Sequence, residues 1–306
     1  MRSVPYFRLS GVYLFYFASL GALVPFWSLY LEFLGFSKVE IGQLVAALMA
    51  PKIFAPYIWG WFADHSQKRI SIIGYASLGA VVSYSLTLWL TGYVELALIS
   101  SVFGFFWHAA LPQFEAVTMD HLGEDAHHYS RIRVWGSIGF ILMAMGLPTI
   151  LEGDHIAFLP YVVLAALVMI FFMTVGMRDF PREELGERLP IKDTLKRPDV
   201  MALLLACFLQ LVSHGPYYTF YSIYLDSHGY SRGLIGALWA LGVVCEIVVF
   251  LLLHRLQLRF GLREVLLISF GLAGVRWLMI GYFPDELWLL VAAQVLHAAT
   301  FGTFHA

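Results

Sequence analysis

The chain alternates long apolar runs with short polar connections. Ten of these runs are long enough to cross a bilayer as helices, which takes roughly 20 residues each. Charged residues and turn-forming residues stand mainly between the runs. This pattern predicts an all-α polytopic membrane protein. The predicted spans cover residues 7–31, 41–63, 70–90, 94–119, 133–151, 157–177, 200–225, 234–254, 264–283 and 287–306.

The composition agrees with a lipid environment. The 306 residues are 60% hydrophobic and 13% charged, whereas a soluble domain has about 45–50% apolar and about 25% charged residues. A soluble enzyme is therefore excluded, and a net charge of −2 leaves no basic face for nucleic acid. The cysteines, Cys207 and Cys245, both lie in apolar runs, so we expect neither a disulfide framework nor a metal site.

The distribution of lysine and arginine predicts the orientation of the spans. With the N-terminus placed in the cytoplasm, 15 of the 19 basic residues fall on the cytoplasmic side. The opposite side holds only Lys38 and Arg232, and Lys52 and Arg276 lie inside spans. Such a bias is the positive-inside pattern of membrane proteins. We therefore expect a multi-pass protein of a bacterial inner membrane with a cytoplasmic N-terminus.

A charged, proline-containing segment divides the chain into two parts. Residues 178–199 predict a cytoplasmic linker between a six-helix bundle at 1–177 and a second bundle at 200–306. Six spans before the linker predict six after it, whereas four are present. We therefore expect the chain to lack two helices of a longer protein.

The two parts contain an internal repeat with an offset of 194 residues. Residues 21–44 overlay residues 215–238 without a gap, and ten of the 24 positions are identical, including Gly35/Gly229 and Ser37/Ser231. An even number of spans separates the copies, so they have the same orientation in the membrane. Parallel repeats of this kind are typical of major facilitator transporters, whose substrate site lies between the halves. A duplicated bundle without a transport function is the alternative.

Four ionisable residues are predicted near the middle of spans. A charge there costs at least about 2.5 kcal/mol, which favours a functional role. Lys52 and Glu246 are separated by 194 residues and so occupy equivalent positions in the repeat. We expect Glu246 to carry a proton with His297 as its partner, and Lys52 and Arg276 to bind an anionic substrate. Fixed ion pairs that stabilise the helix register are the alternative, and Lys52 could also extend its ammonium group to the interface.

Two further pairs are candidates for the transport pathway. Glu115 in the fourth span and Arg133 at the start of the fifth could form an ion pair that acts as a gate. Trp27 and Tyr221 occupy equivalent repeat positions and could stack on an aromatic substrate. For either aromatic ring alone, ordinary packing is the simpler interpretation.

The loop after the second span contains a short motif. It has a glycine at Gly60, an acid four residues later at Asp64, and the basic residues Lys68 and Arg69. The motif resembles the loop signature of major facilitator transporters, in which the acid and the basic cluster stabilise one conformation. The resemblance implies a gating role for these four residues. His65 and Gln67 depart from the usual pattern, in which a basic residue and a glycine are common.

Several longer segments make the resemblance more specific. They are similar to the bacterial phenylpropionate permease branch of the major facilitator superfamily, which is related to the lactose permease and nucleoside–proton symporter groups. By helix and depth, the lactose permease group implies substrate-binding or coupling roles for Glu115, Arg133, Glu246, Arg276 and His297. The group has a further carboxylate one turn after its histidine, where this chain has Thr300. The segments that carry the resemblance are residues 26–28, 134–137, 241–246, 275–277 and 296–301.

These observations predict a secondary transporter that works by alternating access. We expect proton-coupled uptake of a small aromatic carboxylate such as phenylpropionate, with the proton gradient in place of any cofactor. The expected partners are that substrate, protons and the lipid bilayer, and we expect a monomer. Proton symport of a neutral sugar or nucleoside is one alternative, and a non-transporting sensor derived from a transporter is another. An enzyme is not expected, because the sequence has no HExxH motif and no phosphate-binding loop.

Overall fold

The computed structural model describes residues 4–66, 68–177, 179 and 192–302, and in these ranges it is helical and has no strand. The helices follow the apolar runs and end where glycine, proline or charged residues begin. They are α1 (Tyr6–Phe33), α2 (Lys38–Met49), α3 (Ala55–Ser66), α4 (Arg69–Ser85), α5 (Tyr93–Leu122), α6 (Tyr129–Gly146), α7 (Leu159–Thr174), α8 (Lys192–Leu195), α9 (Pro198–Ser227), α10 (Arg232–Phe260), α11 (Leu262–Tyr282) and α12 (Leu287–His297).

Nine helical segments of the described chain are long and apolar enough to cross a membrane. They correspond to the first nine predicted spans. The tenth predicted span, 287–306, is represented by a shorter apolar helix over Leu287–Gly302, and residues 303–306 lie outside the described residues. The expected all-α membrane fold is therefore confirmed.

The second span is not one continuous α-helix. Between α2 and α3 the backbone forms a 3₁₀ turn over Ala50–Ile53, with Pro51 near its start. Proline lacks the N–H that an interior helical position donates, which favours a change of winding here. Lys52 therefore lies in an irregular turn of the span, and its side chain is exposed.

The linker at residues 178–199 stays a prediction. Residues 180–191 lie outside the described residues, and α8 and the start of α9 fall within the last part of the predicted linker. By contacts between residues, the chain divides into two units. The first consists of Met1–Pro181 and Gly229–Ala240, and the second of Arg182–His228 and Leu241–Ala306.

In the first unit, α1 packs along α6 and α7, while α5 packs on α2, α3 and α4. Glycines permit the closest approach of α1 and α6. A Cβ atom on Gly21 would lie only 2.7 Å from the carbonyl oxygen of Phe140, and Gly139 approaches the backbone of Leu14 in the same way. Small residues at helix contacts are typical of membrane bundles.

The internal repeat is visible in the backbone. Gly35 has φ +90° and Gly229 has φ +81°, a left-handed conformation that glycine adopts without strain. Two residues later, Ser37 and Ser231 accept hydrogen bonds from backbone N–H groups in the first turns of α2 and α10. Equivalent sequence positions therefore form equivalent turns.

Candidate functional site

The clearest buried charge belongs to Arg276 of α11, in the second unit. Its side chain has no exposed surface, and its Nε donates a hydrogen bond to the carbonyl oxygen of Ala293 at 3.0 Å. Its Cζ lies 4.1 Å from the ring centroid of Tyr217 and 4.5 Å from that of Trp277. Among the described residues, none accepts a hydrogen bond from Nη1 or Nη2, although both atoms are buried. The guanidinium is thus enclosed by aromatic rings with two donors available for a ligand.

A carboxylate and an imidazole meet in the same unit. The Nε2 atom of His297 on α12 lies 2.9 Å from Oε1 of Glu246 on α10, and both side chains are mostly buried. The imidazole stacks on Phe301, with ring centroids 5.2 Å apart. The structure therefore brings together the two residues for which the sequence predicts proton coupling.

A polar network lies between these charged groups. The hydroxyl of Tyr217 donates to Oε1 of Gln294 at 2.9 Å, and Nε2 of Gln294 donates to the hydroxyl of Tyr221 at 2.6 Å. The Tyr217 ring is also 5.6 Å from the ring of His297. Tyr221 was expected at the site from the repeat. Gln294 was not assigned a role, although its place one turn before His297 in an apolar helix is a signal for one.

The helix that carries His297 changes its winding immediately afterwards. Residues Ala298–Gly302 form a π-helical turn, a feature that is frequent at functional sites. The carbonyl oxygen of Thr300 accepts hydrogen bonds from Nε2 of Gln210 at 3.1 Å and from Oγ of Ser269 at 3.2 Å. The sequence does not point to either donor, because neither lies near His297 in the chain.

The remaining substrate-site candidates lie in the first unit. Lys52 makes no hydrogen bond or ion pair with another described residue, and it is exposed. Trp27 is enclosed by Tyr30 and Tyr84, with ring centroids 5.3 and 6.0 Å away. Its surroundings favour the packing interpretation over substrate contact.

The expected ion pair between Glu115 and Arg133 is not formed. Both side chains are half-buried, but within the described chain neither makes an ion pair within 4.0 Å. The Cζ atom of Arg133 instead lies over the ring of Phe17, 4.1 Å from its centroid, and 5.6 Å from that of Tyr13. The cation is stabilised by these aromatic faces, and the gating role of Glu115 and Arg133 stays a prediction.

The loop motif forms a compact charge cluster. Nη2 of Arg69 donates to Oδ1 of Asp64 at 2.7 Å, and its Nη1 lies 3.8 Å from Oδ2 of Asp120 on α5. A Cβ atom on Gly60 would be 3.2 Å from Nε2 of Gln113, while Lys68 is exposed. Arg69 therefore joins the ends of α3, α4 and α5.

One group of metal-type ligands lies outside this region. Ligand atoms of Asp125, His127 and His128 are all within 4.8 Å of one another in the connection between α5 and α6. Metal-binding imidazoles usually donate their second N–H to a neighbouring acceptor. Neither imidazole has such a bond to a described residue, and we propose no metal there.

Comparison with known proteins agrees with the fold. The sequence matches the MFS_1 like family over residues 6–306. It is 28% identical over 304 residues to a probable 3-phenylpropionic acid transporter of Escherichia coli (strain K12), covering 96% of this chain and 78% of that protein. The crystal structure of the nucleoside transporter NupG superposes with a TM-score of 0.82 at 17% identity, over 98% of this chain and 80% of that one.

A more distant structure has the same fold. The crystal structure of a D-xylose-proton symporter gives a TM-score of 0.67 at 14% identity, over 96% of this chain and 78% of that one. The expected resemblance to the phenylpropionate permease branch is confirmed by the relative described above. Because the family match extends over nearly the whole chain, this protein belongs to the MFS_1 like family and is a membrane transporter of the major facilitator type, not an enzyme.

Proposed function

We propose that this transporter imports a small aromatic carboxylate together with a proton. The observation that carries the proposal is the buried guanidinium of Arg276, whose Nη1 and Nη2 have no acceptor among the described residues. A buried charge without an anionic partner is costly, and a carboxylate ligand would remove that cost. The similarity to a probable 3-phenylpropionic acid transporter supports the same substrate class.

The chemistry around Arg276 suits such a substrate. Two parallel N–H donors on one guanidinium can bind both oxygens of a carboxylate, which gives geometric specificity as well as affinity. The rings of Tyr217 and Trp277 already flank the guanidinium and offer apolar faces for an aryl group. A neutral ligand would gain the ring contacts but would leave the cation unpaired.

Proton coupling is assigned to Glu246 and His297. In a pair 2.9 Å apart, one proton can lie on the imidazole, giving an ion pair, or on the carboxyl group, giving a neutral pair. A proton that enters with each carboxylate would balance its charge, so that the loaded site is neutral during transport. Glu246 is the proposed proton carrier, and Arg276 the residue that holds the substrate anion.

Uptake into proteoliposomes with an imposed pH gradient, acidic outside, tests both assignments. The wild type should accumulate labelled 3-phenylpropionate above the equilibrium level. Glu246→Gln should lose accumulation but keep exchange of internal for external substrate, because exchange needs no net proton movement. Asp285→Asn, which changes an exposed carboxylate of the same unit, is the matched control. Equal accumulation by wild type and Glu246→Gln would refute the coupling role.

Competition separates this function from its main alternative. Unlabelled aromatic acids should compete with the tracer, while a sugar and a nucleoside should not. Uptake of a labelled sugar or nucleoside, with no carrier-dependent uptake of labelled 3-phenylpropionate, would favour a symporter for neutral substrates. Arg276→Gln should abolish uptake of labelled 3-phenylpropionate, whereas Arg263→Gln, at an exposed arginine of the same helix, should leave it unchanged.

The proposed setting is a bacterial inner membrane with a cytoplasmic N-terminus and a monomeric transporter. The distribution of basic residues supports this orientation. A reporter that is active only in the cytoplasm is fused to the N-terminus in one protein and inserted into the loop before Lys38 in another. It should be active only in the N-terminal fusion. The reverse result would contradict the orientation.

A further inference from the structure

Gln294 is fully buried on α12, and both ends of its amide are engaged. Its Oε1 accepts the hydroxyl proton of Tyr217 at 2.9 Å, and its Nε2 donates to the hydroxyl oxygen of Tyr221 at 2.6 Å. Tyr217 and Tyr221 are one turn apart on α9, with ring centroids 4.8 Å from each other. One amide therefore links α12 to two successive turns of α9.

This link holds the Tyr217 side chain beside the buried cation. The ring of Tyr217 lies 4.1 Å from Cζ of Arg276, while its hydroxyl, at the far end of the ring, is bonded to Gln294. Contact between a cation and an aromatic ring is favourable only over the ring face. Because Gln294 holds the hydroxyl, the far end of the side chain is fixed, and the Tyr217 ring cannot swing away from the guanidinium.

The same helix contacts all three parts of the site. On α12 the carbonyl oxygen of Ala293 accepts from Nε of Arg276, Gln294 binds the tyrosines, and His297 pairs with Glu246. The anion site and the proton site thus share one helical turn. Gln294 is the side chain between them.

We propose that Gln294 is a positioning residue of the anion site, which sets carboxylate affinity by holding the Tyr217 ring against the Arg276 guanidinium. This inference rests on the proposed function, because it assumes that Arg276 binds the substrate carboxylate. It assigns no contact between Gln294 and the substrate. Loss of the amide should therefore weaken binding of the anion without removing the charge that attracts it.

The test is Gln294→Met in the full chain, which keeps the length and approximate volume of the side chain but removes both hydrogen bonds. The KM for 3-phenylpropionate should rise about ten-fold, a typical effect of losing buried hydrogen bonds, with the maximal rate changed less than about two-fold. The inhibition constant of the neutral analogue 3-phenylpropanol should change less than about two-fold. The pH dependence set by Glu246 and His297 should keep its midpoint.

Two further variants complete the design. Tyr217→Phe keeps the ring and removes only its hydroxyl, so it should also raise the KM for 3-phenylpropionate. The double variant of Gln294→Met and Tyr217→Phe should have a KM no higher than that of the more severe single variant. Gln43→Met is the matched control, because Gln43 accepts a hydrogen bond from Tyr93 at 2.6 Å on an exposed surface. It should behave as wild type.

The outcomes distinguish the two proposals. If the wild type binds 3-phenylpropionate and 3-phenylpropanol equally, or binds neither, the proposed anion site is refuted, and the role of Gln294 with it. If the wild type prefers the acid and both Gln294→Met and Tyr217→Phe keep that preference undiminished, only the positioning role is refuted. Thermal unfolding of each variant, measured in parallel, shows whether a loss of transport is caused by misfolding. If Gln294→Met misfolds, the KM of Tyr217→Phe for 3-phenylpropionate decides whether the positioning role is correct.

Discussion

The contact of α1 with α6 allows a quantitative prediction at Gly21. Replacement by alanine would place a Cβ atom 2.7 Å from the carbonyl oxygen of Phe140, where ordinary van der Waals contact begins at 3.4 Å. The obstructing atoms belong to the backbone, so no side-chain rotation can relieve the overlap. The two helices would have to separate by about 0.7 Å, and a gap of about 0.5–1 Å already forfeits a quarter to a half of each dispersion contact.

We therefore expect Gly21→Ala to lower the free energy of unfolding by about 2–3 kcal/mol, in the upper part of the range for overpacked cores. Gly74, inside α4, is the matched control, because nothing lies within 4 Å of a Cβ atom placed there. Gly74→Ala should be neutral or stabilising by up to about 1 kcal/mol, since alanine is the better helix former.

The assay is thermal unfolding of the purified protein in detergent, followed by tryptophan fluorescence. For a chain of 306 residues, a loss of about 2–3 kcal/mol corresponds to a decrease of roughly 3–5 °C in Tm. If Gly21→Ala melts at or above the temperature of both wild type and Gly74→Ala, the close approach of α1 and α6 is incorrect.

Three further predictions concern the site, the loop motif and the repeat. Gly242→Ala places a Cβ atom 3.1 Å from Cδ2 of His297 and 3.4 Å from Oε1 of Gln294, so proton-driven uptake should fall several-fold. Gly274→Ala is the control and should transport normally, because nothing lies within 4 Å of a Cβ atom there. Asp64→Asn removes the charge 2.7 Å from Arg69 and should raise the accessibility, to a thiol reagent, of cysteines introduced at the neighbouring ends of α3, α4 and α5. Unchanged labelling would contradict a gating role. Ser37→Ala should destabilise the protein by about 1 kcal/mol, because Ser37 and Glu40 form a reciprocal capping box; an unchanged Tm would show that this cap contributes nothing.

Much of the site could be proposed from the sequence because a charge inside an apolar run is visible without a structure. Glu246, Arg276 and His297 were found in that way, and Tyr221 was found through the repeat. Gln294, Gln210 and Ser269 were not assigned roles, because uncharged polar residues are common in membrane helices and their partners lie on other helices. The hydrogen bonds that reveal them join residues 31 to 90 positions apart.

The sequence by itself determined the spans, the repeat and the identity of the intramembrane charges. The transfer of a segment into lipid depends on the summed hydropathy of its own residues, so it can be evaluated locally. Which side chains meet depends on the rotation of each helix about its axis, and only packing decides that rotation. The tertiary structure therefore decided that Glu246 meets His297, that Arg133 lies on Phe17 and not on Glu115, and that Arg276 keeps two buried donors. It also distinguished the repeat partners Gly21 and Gly215: the first touches a neighbouring backbone and the second has open space, although the sequence around them is alike.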